Sequence, residues 1–131
     1  MLLKDYLPNI NKKFKNYNFS GLAFNSKEVK KNYIFIAIKG DRFDGNNYIN
    51  DAIKNGAKII ISSKFKDQIK NNIIYLKQKN PRQILSNLSS QIFKKEPQNI
   101  IAVTGTNGKT SIANFYYQIL KKNKKKVASF G

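Results

Sequence analysis

The sequence predicts an α/β fold, on three observations. Short runs rich in Ile and Phe alternate with segments whose apolar residues recur at helical spacing. The run Ile100-Ile101-Ala102-Val103-Thr104 is continuously apolar, as in a parallel strand buried on both faces. It passes through a glycine-containing turn straight into an amphipathic segment, the order of a strand–turn–helix unit.

The elements follow in order. Leu2, Leu3, Tyr6 and Leu7 share one helical face at the N-terminus, and a Lys/Asn-rich link follows. Phe19 to Asn25 alternates loosely and reads as a strand. Tyr33-Ile34-Phe35-Ile36-Ala37-Ile38 has strand length and β-favouring composition. Residues 40–47 are polar with two glycines, hence a loop. Tyr48, Ile49, Ala52 and Ile53 mark one face of a short helix, which Gly56 is placed to end. Lys58 to Ser62 and Asn72 to Leu76 are two more strands. Asn80-Pro81 is a helix start, with Asn as N-cap and Pro at the first helical position. Ile84, Leu85, Leu88 and Ile92 continue its apolar face. Lys94 to Asn99 reads as a linker, and a strand is expected at Ile100 to Thr104. Ile112, Phe115, Tyr116, Ile119 and Leu120 line one face of the next helix, and Val127 to Phe130 is expected to begin a further strand.

Composition excludes several kinds of chemistry. The 131 residues suit one domain, or a small domain plus part of another. Without Cys there is neither a disulfide framework nor a thiolate metal site. Without His the usual general base and the commonest metal ligand are missing. The net charge of +18 invites a nucleic-acid partner, but the excess is 23 Lys against 2 Arg. Lys, Asn and Ile together fill 59 of the 131 positions, and all three are encoded by AT-rich codons. Readers of bases and phosphates lean on the Arg fork. The dense run Lys121 to Lys126 falls where a helix should end, a position that favours cations regardless. No nucleic-acid partner is expected. No apolar run approaches a membrane span and no signal core opens the chain, so a cytoplasmic protein without membrane attachment is expected.

The chemistry concentrates in Gly105-Thr106-Asn107-Gly108-Lys109-Thr110-Ser111. Gly105 and Gly108 permit tight turning and remove the Cβ atoms that would hold a phosphate away. Loop amides and those opening the following helix converge where the helix dipole already favours an anion. Lys109 is placed to reach terminal phosphates, and the Thr110 hydroxyl to hold Mg²⁺. Val103 stands where the general phosphate-loop pattern has its first glycine.

The string Thr104 to Thr110 resembles the ATP loop of the Mur ligases, the ATP-dependent amide-forming enzymes of peptidoglycan synthesis, whose loop also lacks that glycine. Phe24-Asn25-Ser26-Lys27-Glu28-Val29 with Ile34 to Gly40 resembles the Asp-Ser-Arg-x-Val … Leu-Phe-Val-Ala-x-x-Gly signature of that family's UDP-binding domain. Asp44-Gly45-Asn46-Asn47-Tyr48-Ile49, then Ala52-Ile53 and Gly56-Ala57, is similar to its Asp-Gly-x-x-Phe-Ile … Ala-Ile … Gly-Ala. The likeness runs from about Phe19 to Gly131.

The resemblance implies a small α/β UDP-substrate domain over residues 1–97. Residues 98–131 are then the first strand–phosphate loop–helix–strand unit of a parallel-sheet ATPase domain, incomplete at Gly131. It implies ATP and Mg²⁺ as cofactors, Lys109 as the catalytic lysine, residues 105–111 on ATP, and Ser26, Asp44 and Gly45 on the UDP substrate. The partners implied are UDP-MurNAc-L-Ala-D-Glu and a diamino acid, meso-diaminopimelate before L-lysine, in an enzyme that is monomeric at full length. Thr106 favours the diamino-acid-adding branch (MurE); Arg42-Phe43-Asp44-Gly45 leans towards the D-Ala-D-Ala-adding branch (MurF), which stays open. So does a non-catalytic module that binds the UDP-sugar peptide. Asn25-Ser26-Lys27 replaces Asp-Ser-Arg, keeping a hydroxyl and a positive charge while losing a carboxylate and a guanidinium. The family's remaining Mg²⁺ ligand, carbamylated lysine and amino-acid-selecting domain have no counterpart in these residues. The expectation is therefore an N-terminal fragment, inactive alone, whose short ATPase portion leaves apolar faces uncovered.

Overall fold

The computed structural model describes residues 1–94 and 97–130. The chain divides into two compact units, Met1–Lys94 and Lys95–Gly131. Within the expected linker at Lys94–Asn99, Lys95 and Glu96 lie outside the described residues, as does Gly131.

The first unit is built on a five-stranded sheet. Its strands are β1 (Gly21–Ala23), β2 (Tyr33–Ile36), β3 (Ala57–Ser62), β4 (Gln68–Lys70) and β5 (Ile73–Lys77), in the order β1-β2-β3-β5-β4. All neighbours pair in parallel except β4, which runs antiparallel to β5 at the edge. Helices α1 (Leu3–Tyr6), α2 (Ile49–Lys54) and α3 (Pro81–Ile92) complete the unit.

Period-two alternation sorts the side chains into two cores. Ile34, Ile36, Ile59, Ile61, Ile74 and Leu76 point to one side, where Leu3, Phe14, Phe19 and Leu88 meet them. Phe35, Ala37 and Ile60 point to the other, against Ile49 and Ala52 of α2. Both sheet faces are therefore covered, which explains why Ile34 to Ile36 and Ile59 to Ile61 read as unbroken apolar runs. Burying each such Ile contributes about 1.5–3 kcal/mol.

Local signals end the elements as the sequence indicates. Asn80 Oδ1 accepts from Gln83 N at 3.2 Å with Pro81 in the first turn of α3. Gly56 follows α2 at φ +112°, its N–H donating to Ile53 O at 3.0 Å. β4, absent from the sequence reading, is joined to β5 by Asn71 and Asn72 at φ +49° and +60°, the conformation of a two-residue hairpin turn. Gln68-Ile69-Lys70 has a single apolar residue, too little pattern to announce a strand.

The second unit departs from expectation. Helix α4 (Lys109–Lys122) forms, but neither Ile100–Thr104 nor Val127–Phe130 is a strand. The two expected strands do not form because no strand among the described residues pairs with either segment, and a strand exists only through its ladder. Ile100 and Ile101 are correspondingly 81% and 56% exposed.

Candidate functional site

The loops after β1, β2 and β5 meet at the carboxyl ends of the strands, where ligands of open α/β sheets bind. They enclose a cleft of about 950 Å³, lined by Phe24 to Lys27, Ile38, Gly40, Phe43, Gly45, Tyr48, the α2 residues Asp51 and Lys54, Asn55 just beyond it, and Arg82 and Leu85 of α3. That volume suits a nucleotide-sized ligand.

Ser26 is among the residues lining the cleft. It opens a 3-10 turn capped by Asn25, whose Oδ1 accepts from Lys27 N at 3.1 Å. Asn thus supplies the oxygen that caps this turn, the service an Asp would give. Asn55 Nδ2 donates to Ser26 O at 2.9 Å, fixing this turn to the end of α2. No hydrogen bond engages the Ser26 hydroxyl among the described residues, although its residue is only 8% exposed.

Gly45 forms part of the cleft floor, and no other residue fits there. A Cβ on Gly45 would lie 2.8 Å from Ile38 N and 2.9 Å from Ile38 O, the carbonyl that accepts the Gly45 N–H at 2.9 Å.

Asp44 stands apart from the cleft lining. Its Oδ1 accepts from Asn46 N at 2.9 Å, and its Oδ2 from Lys64 Nζ at 2.7 Å. The Lys64 hydrogen bond first, and those from Asn46 next, hold its carboxyl far below the usual carboxylate range. The structure thus brings Ser26 and Gly45 together on one cleft and turns the Asp44 carboxylate to the loop behind them.

The cleft also carries cations and aromatic rings, of which the sequence reading gave no site role to Lys54 and Arg82. Lys27, Lys54 and Arg82 face it with Asp51 as the one carboxylate among the lining residues, a net positive wall. Phe24, Phe43 and Tyr48 rim it while 59%, 72% and 44% exposed. Flat exposed rings beside cations fit a nucleobase and its phosphates. Arg82, one of two arginines in a Lys-rich chain and set just past an N-cap, was the readable signal.

In the second unit both loop glycines take backbone conformations that favour glycine. Gly105 lies at φ +152° and Gly108 at φ +74°, both where side chains are disfavoured. Nothing lies within 4 Å of a Cβ on Gly108, so conformation rather than space demands the glycine. Gly108 is the N-cap of α4 with no side-chain cap, which leaves the amides opening the helix available to an anion. Lys109, Thr110 and Ser111 form its first turn, and all of residues 105–111 are exposed. The Lys109 ammonium folds back to donate to Gly105 O and, at 3.3 Å, to Thr106 O. It is held against the loop's own carbonyls. The donor set fits a nucleotide triphosphate: backbone amides, one ammonium and one hydroxyl. For Mg²⁺ it offers the Thr110 hydroxyl, sufficient only for an ion that takes its other ligands from phosphates and water.

No described helix is long and apolar enough to cross a membrane. Among the described residues no cluster of three acidic side chains could hold a metal by itself.

The chain is similar to known proteins in sequence and in fold. The chain is 40% identical over 123 residues to the UDP-N-acetylmuramoyl-L-alanyl-D-glutamate–2,6-diaminopimelate ligase of Rickettsia typhi, covering 94% of this chain and 25% of that protein. A second ligase of that name, from Clostridium acetobutylicum, is 42% identical over 129 residues, covering 92% and 26%. The crystal structure of MurF ligase from Thermotoga maritima in complex with ADP superposes with a TM-score of 0.58 at 32% identity, covering 77% of this chain and 23% of that one. The chain thus spans about a quarter of the length of the curated relatives it matches. The family model described as "Mur ligase family, catalytic domain" matches residues 18–106, more than half of the chain and nearly all of the sheet and cleft. On that match the chain belongs to the Mur ligase family.

Proposed function

We propose that this chain supplies the UDP-substrate cleft and the ATP phosphate loop of a ligase that adds a diamino acid to UDP-MurNAc-L-Ala-D-Glu. The observation that carries this reading is the identity of about 40% along nearly the whole chain to ligases named for that reaction. The choice of meso-diaminopimelate over L-lysine rests on those names.

In this reading the cleft holds the UDP end. Lys27, Lys54 and Arg82 face the diphosphate, the aromatic rim takes the uracil, and the Ser26 hydroxyl contacts the nucleotide. The loop over residues 105–111 cradles ATP. The γ-phosphoryl group passes to the terminal carboxylate oxygen of the substrate, breaking its bond to ADP. The amine of the diamino acid then attacks the acyl carbon, phosphate leaves, and the nitrogen loses a proton. Lys109 neutralises charge on the transferring group, and residues 105–108 hold the phosphates by backbone amides. Mg²⁺, when bound through the Thr110 hydroxyl, supplies further charge neutralisation.

A second reading, addition of D-Ala-D-Ala, is favoured by Arg42-Phe43-Asp44-Gly45 and by the likeness to the Thermotoga maritima enzyme. It uses the same cleft and loop. Calorimetric titration of the chain with UDP tests the shared part, and absence of binding overturns both readings. ADP release by the protein that carries this chain separates them: dependence on meso-diaminopimelate is expected, and dependence on D-Ala-D-Ala selects the second.

A further inference from the structure

Ser62 is the one polar side chain among the fully buried residues described, and it lies at the end of β3, behind the cleft rather than in it. Its hydroxyl donates to Asn46 Oδ1 at 2.6 Å and accepts from Lys64 N at 3.1 Å. Asn46 N donates to Asp44 Oδ1 at 2.9 Å, and Lys64 Nζ closes the ring on Asp44 Oδ2 at 2.7 Å. Four residues, from the loop after β2 and from the end of β3 and the turn beyond it, thus form one closed polar circuit. On the other side of Asp44 the loop is pinched by a bridge between Lys39 and Asp44, and Gly40 N donates to Phe43 O at 2.8 Å. The segment between these fixtures carries Gly40, Phe43 and Gly45, and Tyr48 follows; all four line the cleft.

The geometry points to Lys64 and Ser62 as positioning residues for ligand binding in the cleft: through Asp44 and Asn46 they hold the 39–48 loop in the shape that presents Phe43 and Tyr48. This inference rests on the proposed reading of the cleft as a UDP site. Neither residue touches the cleft, so any effect on affinity is transmitted through the loop. Held in place before the ligand arrives, the loop loses less freedom on binding.

Lys64 is 51% exposed along its side chain, so replacing it leaves the core intact. Lys64→Met is expected to weaken UDP binding roughly tenfold, the scale of re-ordering one or two side chains, with Lys64→Arg restoring most of it. Because Phe43 is the ring that the clamp presents, Lys64→Met and Phe43→Ala are expected to be non-additive in a double-mutant cycle. Full additivity, or unchanged affinity in Lys64→Met, overturns the inference. Amide hydrogen exchange in the free chain gives a test that needs no ligand. Lys64→Met and Ser62→Ala are expected to speed exchange at Gly45 and Asn46 while residues 59–61 stay protected. If the wild-type chain binds no UDP, the site reading fails; if exchange at residues 45–46 is unmoved, the clamp itself fails.

Discussion

Gly56 and Lys31 pass each other at backbone contact: a Cβ on Gly56 would lie 2.9 Å from the Lys31 Cα and 3.0 Å from its nitrogen. Gly56 O accepts the next N–H, that of Asn32, at 2.8 Å, locking the chain entering β2 against the turn entering β3. Both the φ of +112° and the lack of space exclude a side chain. Gly56→Ala is expected to cost about 2 kcal/mol or more, lowering the Tm by roughly 8 °C. Thermal unfolding followed by circular dichroism checks this. An unchanged Tm means that the residue 30–32 turn yields without penalty.

The Asp44 carboxyl fixes how the loop behind the cleft responds to acid. Its folded value is depressed below the ordinary 3.8, chiefly by the Lys64 hydrogen bond and then by Asn46. A depressed carboxyl contributes stability that is fully present above its unfolded value and is lost as pH falls through the folded one. The clamp is therefore expected to persist from neutral pH down to about pH 4 and to weaken only in stronger acid. A carboxyl NMR titration of Asp44 measures this directly. A midpoint at or above 3.8 contradicts the ionised pairing with Lys64.

Arg82 is expected to contribute directly to UDP affinity, because it is the cleft-lining cation able to fork onto two phosphate oxygens. Arg82→Ala should weaken UDP binding about tenfold, or ~1.4 kcal/mol, and flatten its salt dependence. Arg82→Lys should recover only part, since an ammonium lacks the planar fork. Calorimetry at two salt concentrations checks both statements, and an unaltered Kd in Arg82→Ala removes Arg82 from the site.

Much of this architecture was legible because local and global signals agree. Asn80-Pro81 states a helix start in its own chemistry, and Gly56 states a helix end; both hold in the structure. Ile34 to Ile36 and Ile59 to Ile61 state burial on both faces, which the two cores supply. What failed was pairing. β4 owes its existence to the Asn71-Asn72 turn and to β5 rather than to its own three residues. Ile100 to Thr104 has the composition of a strand and no partner among the described residues, so composition alone misleads there. At the site, glycines and the Gly-Lys-Thr string were readable because they solve backbone problems. The grouping of the cleft cations was not, because Lys27, Lys54 and Arg82 come from separate elements and are brought together only by folding, even though Arg82 stands out in the sequence as one of two arginines. Asp44 shows a further limit: nothing in its motif position announces that Lys64 and Asn46 hydrogen-bond its carboxylate.

Lys109 gives the sharpest separation of the two proposed binding functions. Its ammonium rests on the Gly105 and Thr106 carbonyls, so it is held near the loop before any phosphate arrives and exchanges neutral acceptors for charged ones on binding. Hydrogen bonds to charged groups are worth about 1.5–3 kcal/mol, so Lys109→Ala is expected to weaken ATP binding about 10- to 100-fold. In the protein that carries this chain it should abolish turnover, since charge on the transferring phosphoryl group then lacks its side-chain counterion. The cleft lies among residues of Met1–Lys94 and uses no atom of Lys109, so the affinity for UDP should stay as in the wild type. Gly108→Ala provides the companion measurement. The φ of +74° resists a side chain although space is open, so this variant should also weaken ATP while sparing UDP. Parallel titrations with ATP and UDP decide the matter. Loss of both ligands in Lys109→Ala would place the lysine in a shared site and contradict the division between cleft and loop.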